Sequence, residues 1–172
     1  GGTRKGSGNF YTKPSLALPT TWRTLEPLVY DIVGEEKKVK TPKDILNLRV
    51  CDPAVGSGTF LVASVRYLTE VLYESVLTHI LTYRDSDGNV VITPSEQVPL
   101  TLDLQFEAPP IKPIDDGWEG QMKARLKRLI VERCLFGVDY NGMAVELARL
   151  ALWLETMDKE LPFEFLDHRI KQ

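Results

Sequence analysis

The chain has 172 residues, 43% of them hydrophobic and 26% charged, which suits one folded domain with its own core. Its net charge of -3 lacks the basic footprint of a free-standing nucleic-acid-binding domain, and its densest basic cluster, Lys37, Lys38 and Lys40, reads as a solvated loop. No apolar run approaches the roughly 20 residues needed to span a bilayer, and no basic-then-apolar leader opens the chain, so a cytoplasmic protein without a membrane partner is expected.

In chain order, residues 1–13 are rich in Gly, Lys and Thr and read as irregular. The stretch PSLALPTTWRTLEPLVYDIV reads as a helix in two pieces, with Pro19 at the break. EEKKVK reads as a polar loop. In TPKDILNL, Thr41 can cap a short helix that has Pro42 at its first position. LRVCD reads as a buried strand. After it, Leu61, Val65, Leu68, Leu72, Val76 and Ile80 recur at steps of three and four, the pattern of a long amphipathic helix. Asp87-Gly88 between β-prone runs signals a hairpin. From there to Asp116 the prolines (94, 99, 109, 110 and 113) mark an excursion off the core. WEGQMKARLKRLIVERC reads as a second helix and CLFGVD as a second strand. NGMAVELARLALWLETM reads as a third helix with Met143, Leu147, Leu150, Leu154 and Met157 on one apolar face, and PFEFLD as a final short strand. Strands alternating with helices imply an α/β fold with a parallel sheet.

The two cysteines, Cys51 and Cys134, form no CxxC pair and each enters an apolar run, so both are expected to be buried free thiols. His79 and His168 lie far apart without ligand-like neighbours, and no metal site is expected.

The chemistry concentrates in CDPAVGSGTF, residues 51–60. A strand ending at Asp52 and a helix starting near Thr59 leave a turn in which Gly56 and Gly58 can take positive φ and let a ligand lie against bare backbone. The free amides of the new helix favour a negative group, while Asp52 supplies the opposite sign. Acid and amides together suit a zwitterion or a ribose-bearing cofactor. A phosphate loop needs Lys after the last glycine, where Thr59 stands, and the dinucleotide fingerprint needs a third glycine, where Leu61 stands. A plain strand-to-helix turn remains the bland alternative. FGVDYN puts a second acid, Asp139, at the next strand tip, where it can accept from both hydroxyls of a ribose or simply sit in a turn before a helix capped by Asn141. Tyr140 and Met143 could pack on a purine or belong to the core.

Three segments together resemble a known family. GNFYTKPSLA is similar to a Gly-x-Phe-Tyr-Thr motif, CDPAVGSGTFLVAS to an Asp-Pro-Ala-x-Gly-Ser-Gly loop, and IVERCLFGVDYNGMAVELARLALWLET to the segment with the ribose-binding acid. In this order they resemble the large adenine-N6 DNA methyltransferases of single-chain restriction–modification and phage-exclusion systems. The departures are Val55 for a frequent Cys, Gly142 for a frequent Pro, and Lys13 where Pro often follows the triplet. The resemblance covers the chain except roughly residues 84–116.

It implies an incomplete Rossmann-like fold of the S-adenosylmethionine-dependent methyltransferase type, a parallel sheet with flanking helices. The partial domain spans 1–172, divided into N-terminal motif and helices (1–46), cofactor loop (47–83), excursion (84–116) and ribose-acid segment (117–172). It implies S-adenosylmethionine as cofactor. Phe10, Tyr11 and Thr12 would line its methionine end, and Asp52, Ala54, Gly56, Ser57 and Gly58 would contact the methionine portion. Asp139 would take the ribose, with Tyr140 beside the adenine.

The family's catalytic Asn/Asp-Pro-Pro-aromatic motif has no counterpart. In APPI at 108–111, Ala108 is no acceptor and Ile111 no aromatic ring. The chain therefore reads as the cofactor-binding front of a longer enzyme that acts on double-stranded DNA, inactive alone and prone to self-associate through an exposed strand edge. Two rival readings are a methyltransferase for a protein glutamine or small molecule, and a non-catalytic binding module.

Overall fold

The computed structural model describes residues 12–84, 90–94, 118–156 and 163–172. Helix α1 (Pro14–Val29) leads into an antiparallel ribbon of β1 (Tyr30–Val33) and β2 (Glu36–Val39). Helix α2 (Pro42–Leu46), strand β3 (Val50–Asp52) and the long helix α3 (Thr59–His79) follow. β4 (Ile80–Arg84) and β5 (Val90–Pro94) pair antiparallel. Helix α4 (Trp118–Cys134) runs directly into β6 (Leu135–Val138), then α5 (Gly142–Thr156), a 3₁₀ turn (Phe163–Leu166) and β7 (Ile170–Lys171). The central sheet is parallel with order β3-β6-β7, so the fold is α/β as expected.

α3 is the hub. Its Leu61, Val65, Leu68, Leu72 and Val76 are buried with Leu25 and Val29 of α1, Ile45 of α2, Leu126 and Ile130 of α4, and Val145, Ala148 and Leu152 of α5. The step-of-three-and-four pattern is thus a true core stripe as far as Val76, whereas the helix stops at His79 and Ile80 opens β4. Arg66 and Lys127 converge on Glu155 at 2.9 and 3.3 Å, tying α3, α4 and α5 together at the rim of that core.

Four local expectations change. α1 is one helix through Pro19 and Pro27, because Ala17, Thr21, Leu25 and Val29 recur every four residues on one buried face and that packing outweighs the proline defects; it stops at Val29, and YDIV, read as its continuation, is strand β1 instead. EEKKVK is not a loop: Glu36–Val39 is a strand, turned at Gly34 (φ 67°) against Tyr30–Val33. Only Val39 of β2 is buried, so no apolar alternation marked it. The last strand lies at Ile170–Lys171 rather than in PFEFLD, where Leu166 of the 3₁₀ turn anchors into the core. β3 is an edge strand with Cys51 exposed, not a buried strand, and the expected buried thiol holds only for Cys134. The paired strands β4 and β5 match the hairpin signal; its Asp87-Gly88 turn lies outside the described residues, as do 95–117 of the excursion.

Candidate cofactor site

The loop between β3 and α3 is held from three sides. Gly56 (φ 53°) and Gly58 (φ 85°) take the left-handed conformation that glycine alone adopts without strain. The Val55 amide donates to the Val138 carbonyl (2.9 Å) and the Gly58 amide to the Val55 carbonyl (2.9 Å). A Cβ on Gly58 would lie 3.1 Å from Ala148 Cα, so α5 presses directly on the bare backbone. A Cβ on Gly137 would lie 2.9 Å from Val55 Cγ2, so the buried Val55 side chain plugs the space under the loop. Around Gly56 a Cβ would meet only the Ala54 carbonyl oxygen at 4.0 Å, which leaves that side open.

The two strand-tip carboxylates bracket this loop. β3 and β6 are neighbours in register, Asp52 opposite Gly137, so Asp139 lies two residues beyond on the adjacent strand. Asp52 Oδ1 accepts from the Ala54 amide at 3.0 Å. Asp52 Oδ2 is buried and has no partner among the described residues, a costly state for a carboxylate oxygen and a ready acceptor for a cationic donor. A cavity of about 200 Å³ adjoins it, lined by Thr20, Thr21 and Thr24 of α1 and by Phe60 and Ser64 of α3. These α1 residues were not foreseen, because they precede Asp52 by about 30 positions with no local motif to link them.

Asp139 Oδ1 accepts from the Asn141 amide (2.8 Å) and Oδ2 from the Gly56 amide (2.9 Å). These two bonds, Asn141 first, hold its pKa below the ordinary aspartate value, so it is a carboxylate at neutral pH. Asn141 Oδ1 in turn accepts from the Met143 amide at 2.9 Å and caps α5, so the turn-and-cap role and an anionic strand tip coexist.

Three loop amides are already engaged. Ala54, Val55 and Gly56 donate to Asp52, Val138 and Asp139 respectively. The amides of Thr59 and Phe60, at the first turn of α3, find no acceptor among the described residues. These point out the anion-favouring end of the helix.

Of the remaining predicted residues, Phe10 and Tyr11 lie outside the described residues. Thr12 stands just before Lys13, whose carbonyl starts α1. Pro14 shares a cavity of about 340 Å³ with Ser57, Thr59 and Arg66, which brings the start of α1 to the loop. Ala54 and Ser57 are exposed, and Tyr140 is fully exposed, so it is not a core residue. Met143 is exposed too. His79 Nε2 lies 3.0 Å from the Val39 carbonyl and ties α3 to β2. No group of metal-ligating side chains gathers among the described residues. A further cavity, about 890 Å³ between α1, α3 and α4, is elsewhere; its Lys123 is already paired with Glu70 and Glu119, and its Trp22 packs on Tyr67.

Residues 31–170 match the family model of the DNA-methyltransferase domain of MmeI. The chain is also 23% identical, over 91% of its length, to a putative type II restriction enzyme and methyltransferase of Methanocaldococcus jannaschii, of which it spans 13%. No solved structure matches it significantly.

Proposed function

The chain belongs to the family of the MmeI DNA-methyltransferase domain, and from that premise we propose that it forms the S-adenosylmethionine-binding part of a site-specific DNA adenine-N6 methyltransferase of a restriction–modification or phage-defence system. The observation that carries the reading is the pair of carboxylates on adjacent parallel strand tips, each gripping the same glycine loop, one with a buried oxygen left unpartnered.

The residues present fit that cofactor. Asp52 Oδ2 would accept from its ammonium, and the open amides of Thr59 and Phe60 would face its carboxylate. Phe10, Tyr11 and Thr12 would line the methionine end, and the backbone of Ala54, Gly56, Ser57 and Gly58 would lie along it. Each Asp139 oxygen accepts one amide and keeps a lone pair for a ribose hydroxyl. Tyr140, fully exposed at the mouth of β6, would cover the adenine. When bound, the cofactor supplies an electrophilic methyl group on sulfur.

The amine-orienting Asn/Asp-Pro-Pro-aromatic group and the sequence-reading surface would come from further polypeptide, in keeping with the small share of the relative that this chain spans. The net charge of -3 likewise assigns phosphate contacts to other parts of a longer enzyme working on cytoplasmic DNA. By itself the chain would bind cofactor without transferring its methyl group.

Calorimetry with S-adenosylmethionine and S-adenosylhomocysteine tests the assignment. Saturable binding is expected, weakened by about 1–3 kcal/mol in Asp139→Ala. Silence toward both ligands at millimolar concentration, with the protein folded by circular dichroism, counts against it. Unchanged affinity in Asp139→Ala removes that residue from the ribose role.

A further inference from the structure

The cavity of about 890 Å³ between α1, α3 and α4 repeats one arrangement, an aromatic ring set beside carboxylates. Trp22 and Glu26 are one turn apart on α1, and Tyr67, Glu70 and Glu74 recur at steps of three and four on α3, so each set shares a face. In two places a lysine of the chain completes the arrangement. Lys37 lies 4.1 Å from the centre of the Tyr30 ring and pairs with Glu26. Lys123 lies 4.9 Å from the centre of the Tyr73 ring and pairs with Glu70 and Glu119 at 2.8 and 2.5 Å. A third set has rings and an acid but no cation among the described residues. Its Trp22 and Tyr67 rings have centres 6.0 Å apart, and its Glu74 accepts only from the neutral Tyr30 hydroxyl, at 2.5 Å. Burial, then the charges of Glu26 and Glu74, hold the Tyr67 phenol above its ordinary pKa, which sets both carboxylates near that ring. No residue assigned to the cofactor lines this cavity.

We propose that Trp22, Tyr67 and Glu74 form a binding site for an arginine side chain of a partner polypeptide. Tyr67 and Glu74 are seven residues apart on α3, a rise of roughly 10 Å. That span suits a long side chain with an apolar stem and a charged head. The stem lies along Trp22, which is 51% exposed, and the head reaches Glu74. Two flat groups in contact need about 3.5 Å each, so rings 6.0 Å apart admit nothing between them and the stem packs on their outer surface. A guanidinium forks onto a carboxylate and is weakly hydrated, which an ammonium is not, so arginine fits Glu74 better than lysine.

The charges along the cavity fix the orientation and the kind of partner. Beside Tyr67, Arg66 and Lys127 share the single acid Glu155, which leaves that end net positive. Farther along, Lys123 is shared by Glu70 and Glu119 while Glu74 meets only a phenol, which leaves that end net negative. The guanidinium therefore points to Glu74, and whatever carries it lies toward Arg66. A free guanidinium compound with its own amine would set a second positive charge against Arg66 and Lys127. A peptide-linked arginine presents neutral amides there instead.

Two-dimensional NMR of the nitrogen-labelled chain, titrated at constant ionic strength with Nα-acetyl-arginine amide up to about 100 mM, tests the proposal. Saturable shifts of the Trp22 indole and Glu74 amide signals are expected, with a dissociation constant on the order of 10 mM, the strength of one exposed cationic side chain. Nα-acetyl-citrulline amide, which has the same shape without the charge, should produce no saturable shift. Glu74→Gln keeps an acceptor for the Tyr30 hydroxyl and should weaken binding about three- to fivefold with the melting temperature unchanged. Lack of saturation, equal binding of the citrulline compound, or unchanged affinity in Glu74→Gln each overturns the proposal. Equal binding of Nα-acetyl-lysine amide overturns the choice of arginine. Agmatine binding more tightly than the arginine amide overturns the polypeptide source in favour of a free guanidinium compound.

Discussion

Asp139 accepts main-chain amides through both carboxylate oxygens, and one of those amides, Gly56, lies 83 residues earlier in the chain. It therefore orders the loop before any ligand arrives. Asp139→Asn should lower stability at pH 7 by about 1 kcal/mol, a value reduced from that of buried charge-assisted bonds because the group is solvated. The sign with pH follows from its depressed folded pKa. The contribution is fully present above the unfolded aspartate value of about 3.9 and is lost as pH falls through the lower folded value. Urea titrations of both proteins should thus differ by a constant amount from about pH 5 to 8 and converge in stronger acid. The cysteines give a second check. Cys134 is fully buried near the Ile45 and Leu46 carbonyls, and burial pushes its pKa up to about 11, whereas Cys51 is exposed. Ellman's reagent should titrate one thiol in the native protein and the second only after denaturation. Two fast thiols would contradict the packing of α4 on α2.

The elements that could be read locally are those whose signals are local. Thr41 caps α2, its hydroxyl accepting from the Asp44 amide at 3.2 Å, as the Thr-Pro pair indicated. The stripe on α3 likewise needed only its own spacing. The β1–β2 ribbon was illegible because its side chains are nearly all solvated, so no buried-exposed alternation marks either strand. The loop glycines separate the two kinds of information. Gly56→Ala faces open space and should cost about 1–2 kcal/mol for its left-handed φ alone. Gly58→Ala adds a contact at 3.1 Å with the α5 backbone and should cost about 1–3 kcal/mol more. Thermal melts of the two variants check this. Equal losses would mean that α5 can yield at Ala148.

Across the whole molecule, the α5 face expected to be the apolar one is the exposed one. Leu147 and Leu150 lie outside, while Ala148 and Leu152 lie inside. Leu152→Ala should cost about 2–5 kcal/mol through loss of a core side chain. Leu150→Ala should change stability by no more than about 0.5 kcal/mol. Denaturant melts decide between the faces, and the reverse order would restore the Leu147 face to the core.

Composition, the glycine-loop residues and the two strand-tip acids were determined by the sequence itself, because strand ends, turns and helix starts are specified by neighbouring side chains and by glycine's freedom at φ. The tertiary structure alone decided that Asp139 reaches the Gly56 amide, that Asp52 Oδ2 is buried without a partner among the described residues, and which face of α5 is covered. Those outcomes depend on parallel pairing of β3 with β6 and on how closely α5 approaches Gly58, distances set between segments some 80 to 90 residues apart.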